Sequence, residues 1–469
     1  MINTLKRVFE LSFIVFFMAS FATAATRPMI RCYIGNWEVN QDDNGPYPIS
    51  KIDFSGMTVL DWMAINPSTA SPFFVTGWEY TGSIRKIISA AHAAGVKVIC
   101  TVGSANTESL FQVASDSANL PVFVDSLKNF VQTEGFDGID VDWEFLEPQD
   151  TTQWKNLIIA LRKGLPRPQY LLTATSGNSY QVYGSVQSYL DQVGLMTYGM
   201  GYPSPGWLSD FSSPIYSGGH VEAFDNKTPT NSINSVVQRY ESVGVPASKI
   251  AIGCEPGGEY WEGITGPFQS ISLVTNFRQD IPYTTIMSKY YKPSLYHWDS
   301  SAEEGYLSFD TTVATADWFL SYDDTNALKA KLAYVDSTGL GGLMIYEIGM
   351  SYDPKTGTNP FLDVTNEFLH GTLSITVPPQ APESFFLSQN FPNPFNPTTT
   401  ISYRLLEPGN VKLAVYDVLG RIIATLVDGT ENSGDYSVDF NGSDLPSGVY
   451  FYRLQVGASA VTRKLMLIK

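Results

Sequence analysis

Eight short runs of β-branched, aliphatic and aromatic residues recur between positions 29 and 350, and amphipathic stretches separate several of them. The runs cover 29–37, 58–65, 97–103, 138–145, 170–176, 193–200, 249–254 and 341–348. Helical spacing is expected at 83–94, 121–134, 152–164, 232–244 and 324–338. Parallel strands need crossover connections, and helices supply them, so this alternation points to an α/β fold with a parallel sheet. Eight such units fit closure into a (β/α)8 TIM barrel. An open doubly wound sheet is the competing architecture, but no glycine-rich phosphate loop supports it. Segment 259–320, rich in Tyr and Trp, is expected to be a short insertion before the last barrel strand.

The pattern changes after about Gly371. Val377-Pro-Pro-Gln-Ala-Pro-Glu383 has the composition of a stiff linker, and Pro392-Asn-Pro-Phe-Asn-Pro397 that of a rigid turn. Short alternating runs at 400–405, 411–418, 422–427, 436–440, 449–455 and 463–468 follow, without helical spacing. They predict a small all-β, Ig-like sandwich. At the other end, Lys6 and Arg7 precede an apolar run, 11–21, that closes on Ala22-Thr23-Ala24. This is the pattern of a cleaved signal peptide, and the run is too short for a membrane anchor. The expected organisation is a signal peptide at 1–24, a barrel domain at 28–370, a linker at 371–385 and a sandwich at 386–469.

The most informative segment for chemistry is Phe136-Asp-Gly-Ile-Asp-Val-Asp-Trp-Glu-Phe145. Side chains alternate along a strand, so Asp140, Asp142 and Glu144 share one face. Ile139, Val141, Trp143 and Phe145 share the other, where an outer helix is expected to cover them. In a parallel barrel the acids then line the interior and end at the C-terminal mouth. Like charges this close cannot all ionise, and a carboxyl that keeps its proton suits general-acid catalysis. A solvated acidic run would not alternate with Ile, Val and Trp, and a calcium loop needs a different spacing. Cys32, Cys100 and Cys254 are odd in number, so at least one is free or pairs between chains, and their apolar settings suggest buried thiols. The four histidines lack zinc-ligand spacing.

Asp137-Gly-Ile-Asp140-Val-Asp142-Trp-Glu144 resembles the strand-four signature of glycoside hydrolase family 18, the chitinases and their relatives. The resemblance covers most of 29–350. Thr101-Val-Gly-Ser104, Leu195-Met-Thr-Tyr198, Ser321-Tyr-Asp-Asp324 and Gly341-Gly-Leu-Met344 are similar to further family segments. It implies that Glu144 protonates the glycosidic oxygen and that Asp142 orients the substrate's acetamido group. Tyr198 would donate to the acetamido oxygen, and Asp140 would tune Asp142 from behind. Asp137, of opposite parity, would be structural. Met196, Tyr346, Trp37 and Trp298 are the candidates for substrate contact, and Trp78, Trp207 and Trp261 are further aromatic residues expected near the mouth. The nucleophile is then the substrate's own acetamido oxygen, outside the usual two-carboxylate scheme, with retention at the anomeric carbon.

Three positions depart from the family pattern. Ser104 replaces a Gly, Tyr346 a Trp, and Gly199 an Asp. At Gly199 either water or another acid fills the gap, Glu255 being the candidate, or the backbone there requires a positive φ. Separately, Asn390-Phe-Pro-Asn-Pro-Phe-Asn-Pro-Thr398, Val415-Tyr-Asp-Val-Leu-Gly420 and Ser447-Gly-Val-Tyr-Phe-Tyr-Arg453 closely resemble a type A sorting domain of the type IX secretion system. That implies a secreted or cell-surface protein of a Gram-negative bacterium; the competing reading is a carbohydrate-binding sandwich. The function expected is hydrolysis of β-1,4-linked N-acetylglucosamine polymers. The alternatives are an endo-β-N-acetylglucosaminidase acting on N-glycans and a non-hydrolytic chitinase-like lectin. The partners expected are the polysaccharide and the secretion machinery, with no cofactor or metal, for a monomer. A formal net charge of −17 argues against nucleic acid.

Overall fold

The computed structural model describes residues 28–469 except 76–80, 178, 205–206, 219–230, 312–315, 372, 374–384, 388–389, 391, 406–407, 418–420 and 458. The signal-peptide segment, the proline-rich linker and Trp78 therefore lie outside the described residues. Seven parallel strands come first: β1 (Met29–Gly35), β2 (Val59–Pro67), β3 (Lys97–Ser104), β4 (Gly138–Trp143), β5 (Leu171–Ser176), β6 (Gln192–Leu195) and β7 (Ile250–Cys254). The insertion supplies β8 (Gly257–Glu262), β9 (Asn276–Pro282), β10 (Tyr296–Asp299), β11 (Glu304–Phe309) and β12 (Trp318–Tyr322), and β13 (Gly342–Ile345) completes the barrel. β1 pairs in parallel with both β2 and β13, so the eight-stranded sheet closes. All eight expected runs are barrel strands.

Helices cover the outside because their apolar residues recur at three- and four-residue spacing. α1 (Thr81–Ala93) and α2 (Glu108–Ala114) precede α3 (Leu120–Glu134), which carries Pro121 in its first turn and buries Phe123, Leu127 and Val131 in one row. α4 (Thr151–Gly164) buries Trp154, Leu157, Ile158 and Leu161. After the short α5 (Tyr180–Tyr183), α6 (Ile233–Ser242) begins at a Ser232/Ser235 capping box. In α7 (Thr325–Thr338) the Asp324 carboxylate accepts from the backbone of Asn326 and Ala327, satisfying N–H groups that the first turn leaves without partners. α8 (Pro360–Leu369) ends the domain.

The insertion is more than a loop. It forms a five-stranded antiparallel sheet in the order β9-β8-β12-β11-β10. Tyr260, Leu307, Leu320 and Tyr322 pack on one face, and Trp261 and Phe319 on the other with Phe211 and Ile264. Trp261, fully buried there, is a core residue. Because the insertion leaves from the C-terminal end of β7, it stands at the mouth side of the barrel.

The carboxyl-terminal region contains β14 (Phe385–Leu387), β15 (Thr398–Leu405), β16 (Gly409–Tyr416), β17 (Ile422–Glu431), β18 (Gly434–Asn441), β19 (Gly448–Val456) and β20 (Ser459–Leu467). They form two antiparallel sheets, β14-β15-β18 and β17-β16-β19-β20, around a core including Ile401, Leu413, Tyr452 and Leu465. Asn390 of the proline-rich motif is buried there; its backbone N–H donates to the Tyr452 hydroxyl at 2.8 Å.

Candidate active site

The register of β4 sets the interior chemistry. Asp140 stands opposite Thr173 of β5 in the strand pairing, and Tyr33 of β1 opposite Asp61 of β2. The buried Asp140 carboxylate receives Arg31 Nη2 at 2.7 Å, Thr173 Oγ1 at 2.5 Å, Thr175 Oγ1 at 2.9 Å and the Tyr33 hydroxyl at 3.1 Å. Arg31 also reaches Asp61 at 2.7 Å, with all three charged side chains fully buried. Burial opposes the guanidinium charge, but Asp140 and Asp61 outweigh it and raise the Arg31 pKa. Burial pushes Asp61 up to about 7.

Asp142 and Glu144 stand further up the same face. Their carboxyls are hydrogen-bonded to each other, while Asp142 Oδ1 has no partner among the described residues. Burial raises Asp142 well above the usual carboxylate range, reinforced by the negative charges of Glu144 and Asp140. Burial also raises Glu144, against the opposing hydrogen bond from Asp142. Two acids in this contact titrate as a pair and keep a proton between them beyond the pH at which free carboxyls lose theirs. Such a pair can deliver a proton at the barrel mouth.

Aromatic rings flank it. Tyr198, beyond the end of β6, and Tyr346, beyond the end of β13, stack at 5.8 Å with 8° between their planes. Tyr33 meets Tyr346 edge-on at 5.9 Å, and Met196 packs into the same cluster. Burial and the nearby Asp142 hold the Tyr198 hydroxyl protonated, so it is available as a donor. Trp37 is 52% exposed in the turn after β1. Trp298 is half-buried on the edge strand of the insertion sheet, apart from the Tyr198–Tyr346 cluster. Trp207 is half-buried in the loop after β6. Asp137 accepts from the Val98 backbone at 2.8 Å and pairs with His92 at 2.7 Å, a structural position at the start of β4. Phe145 departs from expectation. Strand pairing stops at Trp143, the alternation lapses, and the ring is 55% exposed beside Glu144.

A model of glycosyl hydrolases family 18 matches residues 29–351. The chain belongs to this family. A secretion system C-terminal sorting domain matches residues 389–469. Chitinase A1 of Niallia circulans is 26% identical over 398 residues, covering 72% of this chain and 55% of that protein. The chain thus spans little more than half the length of that relative. The catalytic domain 2 of the Ostrinia furnacalis Group II chitinase has a similar fold, with a TM-score of 0.61 at 20% identity over 74% of this chain and 97% of that one. So does a chitinase-like agglutinin of Robinia pseudoacacia, at 0.57 and 22% over 72% and 98% respectively.

Within this family 18 barrel, Gly199 follows Tyr198 with φ +60°, a conformation that favours glycine. The carboxylate oxygen beside it belongs to Glu259 of β8: a Cβ at position 199 would lie 3.9 Å from Glu259 Oε1. Glu255, the acid anticipated there, is instead hydrogen-bonded to Asp280, though its charge is felt at Tyr198. Gly199→Asp is therefore expected to cost about 1 kcal/mol of stability through its backbone and to leave turnover no higher. Melting temperature and kcat measured together check this, and a faster variant of unchanged stability would contradict it.

The sequence reading passed over Arg31 and Asp61, whose signal was a lone charge inside an apolar strand. It also passed over Glu259 and Glu304, which with Glu255 and Asp323 form a buried acid cluster facing the buried Lys331. Burial pushes Glu255, Glu259 and Glu304 well above the usual carboxylate range, and their mutual negative charge adds to it. The folded state then holds protons that the unfolded chain has released, so stability falls as pH rises from the ordinary carboxylate range through the raised values. The melting temperature is expected to drop by a few degrees between pH 5 and pH 8, and Glu259→Gln should reduce that drop. Identical pH dependence in the variant would show that Glu259 does not contribute.

Proposed function

We propose that the chain is a secreted glycosidase of the chitinase type that cleaves β-1,4-linked N-acetylglucosamine polymers by substrate-assisted, retaining hydrolysis. The observation that carries this reading is the hydrogen-bonded Asp142–Glu144 pair at the barrel mouth, kept partly protonated by burial. Glu144 gives its proton to the glycosidic oxygen as the C1–O bond breaks. The substrate's acetamido oxygen closes on C1 from the opposite side to form an oxazolinium ion. Asp142 accepts the acetamido N–H and stabilises the developing positive charge, and Tyr198 donates to the acetamido oxygen. Asp140, paired with Arg31, fixes the charge behind Asp142. Glu144, now a carboxylate, takes a proton from the water that reopens the ring, and two displacements restore the original anomeric configuration. Tyr346 and Met196 form the floor beneath the reacting sugar, and Trp37 extends it.

The sorting-domain match supports export to the medium or the cell surface of a bacterium. In this reading residues 1–24 direct passage across the inner membrane of a Gram-negative cell. The sandwich at 386–469, joined by the 371–385 linker to the 28–370 barrel, engages the type IX machinery. Incubating purified protein with chitin oligomers and with an N-glycosylated protein, then weighing the products by mass spectrometry, tests the substrate. Shortened chitin oligomers are expected. Release of N-glycans alone would indicate the endo-β-N-acetylglucosaminidase alternative, and binding of oligomers without cleavage the lectin.

A further inference from the structure

Trp37 is unusual among the large aromatic side chains because it is both exposed and fastened. Its indole Nε1–H donates to Glu347 Oε1 at 3.2 Å, and the backbone N–H of Gly35 donates to Glu347 Oε2 at 2.7 Å. The ring lies back over its own chain: a Cβ at Gly35 would stand 2.2 Å from Trp37 Cε2, so any side chain there would lift the ring away. The carboxylate that holds it is 7% exposed, whereas the ring is 52% exposed. Glu347 also follows Tyr346 directly in the chain, so one short segment sets both rings.

We infer that Glu347 is a positioning residue, which with Gly35 presents the free face of Trp37 as a preorganised stacking platform for a sugar ring of the bound chain. The inference rests on the glycan reading above. A free Trp side chain loses rotamer freedom when a ligand stacks on it, and a ring already fixed avoids that loss. Sugar faces are apolar, so a flat, held indole suits a pyranose rather than an anionic ligand.

The tether responds to pH. Burial and the facing carboxylate of Glu38 raise Glu347 to about 7, and Tyr346 is the other titratable group beside it. As pH rises through that value the carboxyl ionises and both N–H bonds become charge-assisted, so the platform firms.

The test uses the full chain carrying Glu144→Gln, so that ligand is retained, with penta-N-acetylchitopentaose as probe. Calorimetry should show Glu347→Ala weakening binding roughly three- to tenfold, Trp37→Ala weakening it similarly, and the double variant no further. In 15N spectra the Trp37 indole resonance, assigned with Trp37→Phe, should move as pH passes about 7 in the parent and stay still in Glu347→Gln. Equal affinities, additive losses, or an indole resonance indifferent to Glu347 would overturn the inference. Products appearing in the calorimeter cell would instead count against Glu144 as the acid, so the two failures are distinguishable.

Discussion

Glu144→Gln is expected to lower turnover on N-acetylglucosamine oligomers by about a hundredfold or more, the usual contribution of a positioned general acid. The amide preserves shape and leaves oligomer binding and melting temperature close to those of the parent. Burial raises the Glu144 carboxyl, so the parent is expected to keep that proton above the ordinary carboxylate range and to lose activity as pH rises through the raised value. The alkaline limb of the kcat/KM profile reports that loss, and residual activity in the variant should lack it. A variant retaining a tenth of parental turnover would remove Glu144 from the role of acid.

Asp142→Asn is expected to cost a further distinct function, by about a hundred- to a thousandfold in kcat, because the acetamido group would lose a charged partner as its own charge develops. Here stability and activity should part. Asp142 is 4% exposed, has an oxygen without a partner among the described residues, and is pushed up by burial and then by two neighbouring acids. Replacing it by an amide relieves that repulsion, so the melting temperature should hold or rise while turnover falls. A variant equally impaired in both would mean that Asp142 supports the fold rather than the reaction.

Much of the barrel was legible because parallel strands buried on both faces leave continuous apolar runs in the chain. The acid row was legible for a related reason: period-two alternation shows Asp140, Asp142 and Glu144 against Ile139, Val141 and Trp143. What lay hidden depended on contacts between distant strands. Arg31 meets Asp140 only because β1 and β4 face each other across the barrel, and Glu347 reaches Trp37 only because closure sets β13 beside β1. The insertion read as an aromatic-rich stretch because its short strands carry apolar residues on both faces, such as Tyr260 beside Trp261, which blurs the alternation. Phe145 was misplaced by extending β4 two residues past its last pairing. At Gly199 the missing side chain was visible, but the neighbouring Glu259 comes from β8, sixty positions on, and sequence proximity to β7 had favoured Glu255.

The central claim is that this barrel hydrolyses N-acetylglucosamine chains with the help of the substrate's own acetamido group. The most direct measurement compares initial cleavage rates of one β-1,4-linked oligomer in its fully N-acetylated and fully de-N-acetylated forms, with the same purified protein. Cleavage of the acetylated chain at least about a hundred times faster is predicted, since removing the acetyl group removes the nucleophile. Equal rates on the two chains, or cleavage of neither, would contradict it.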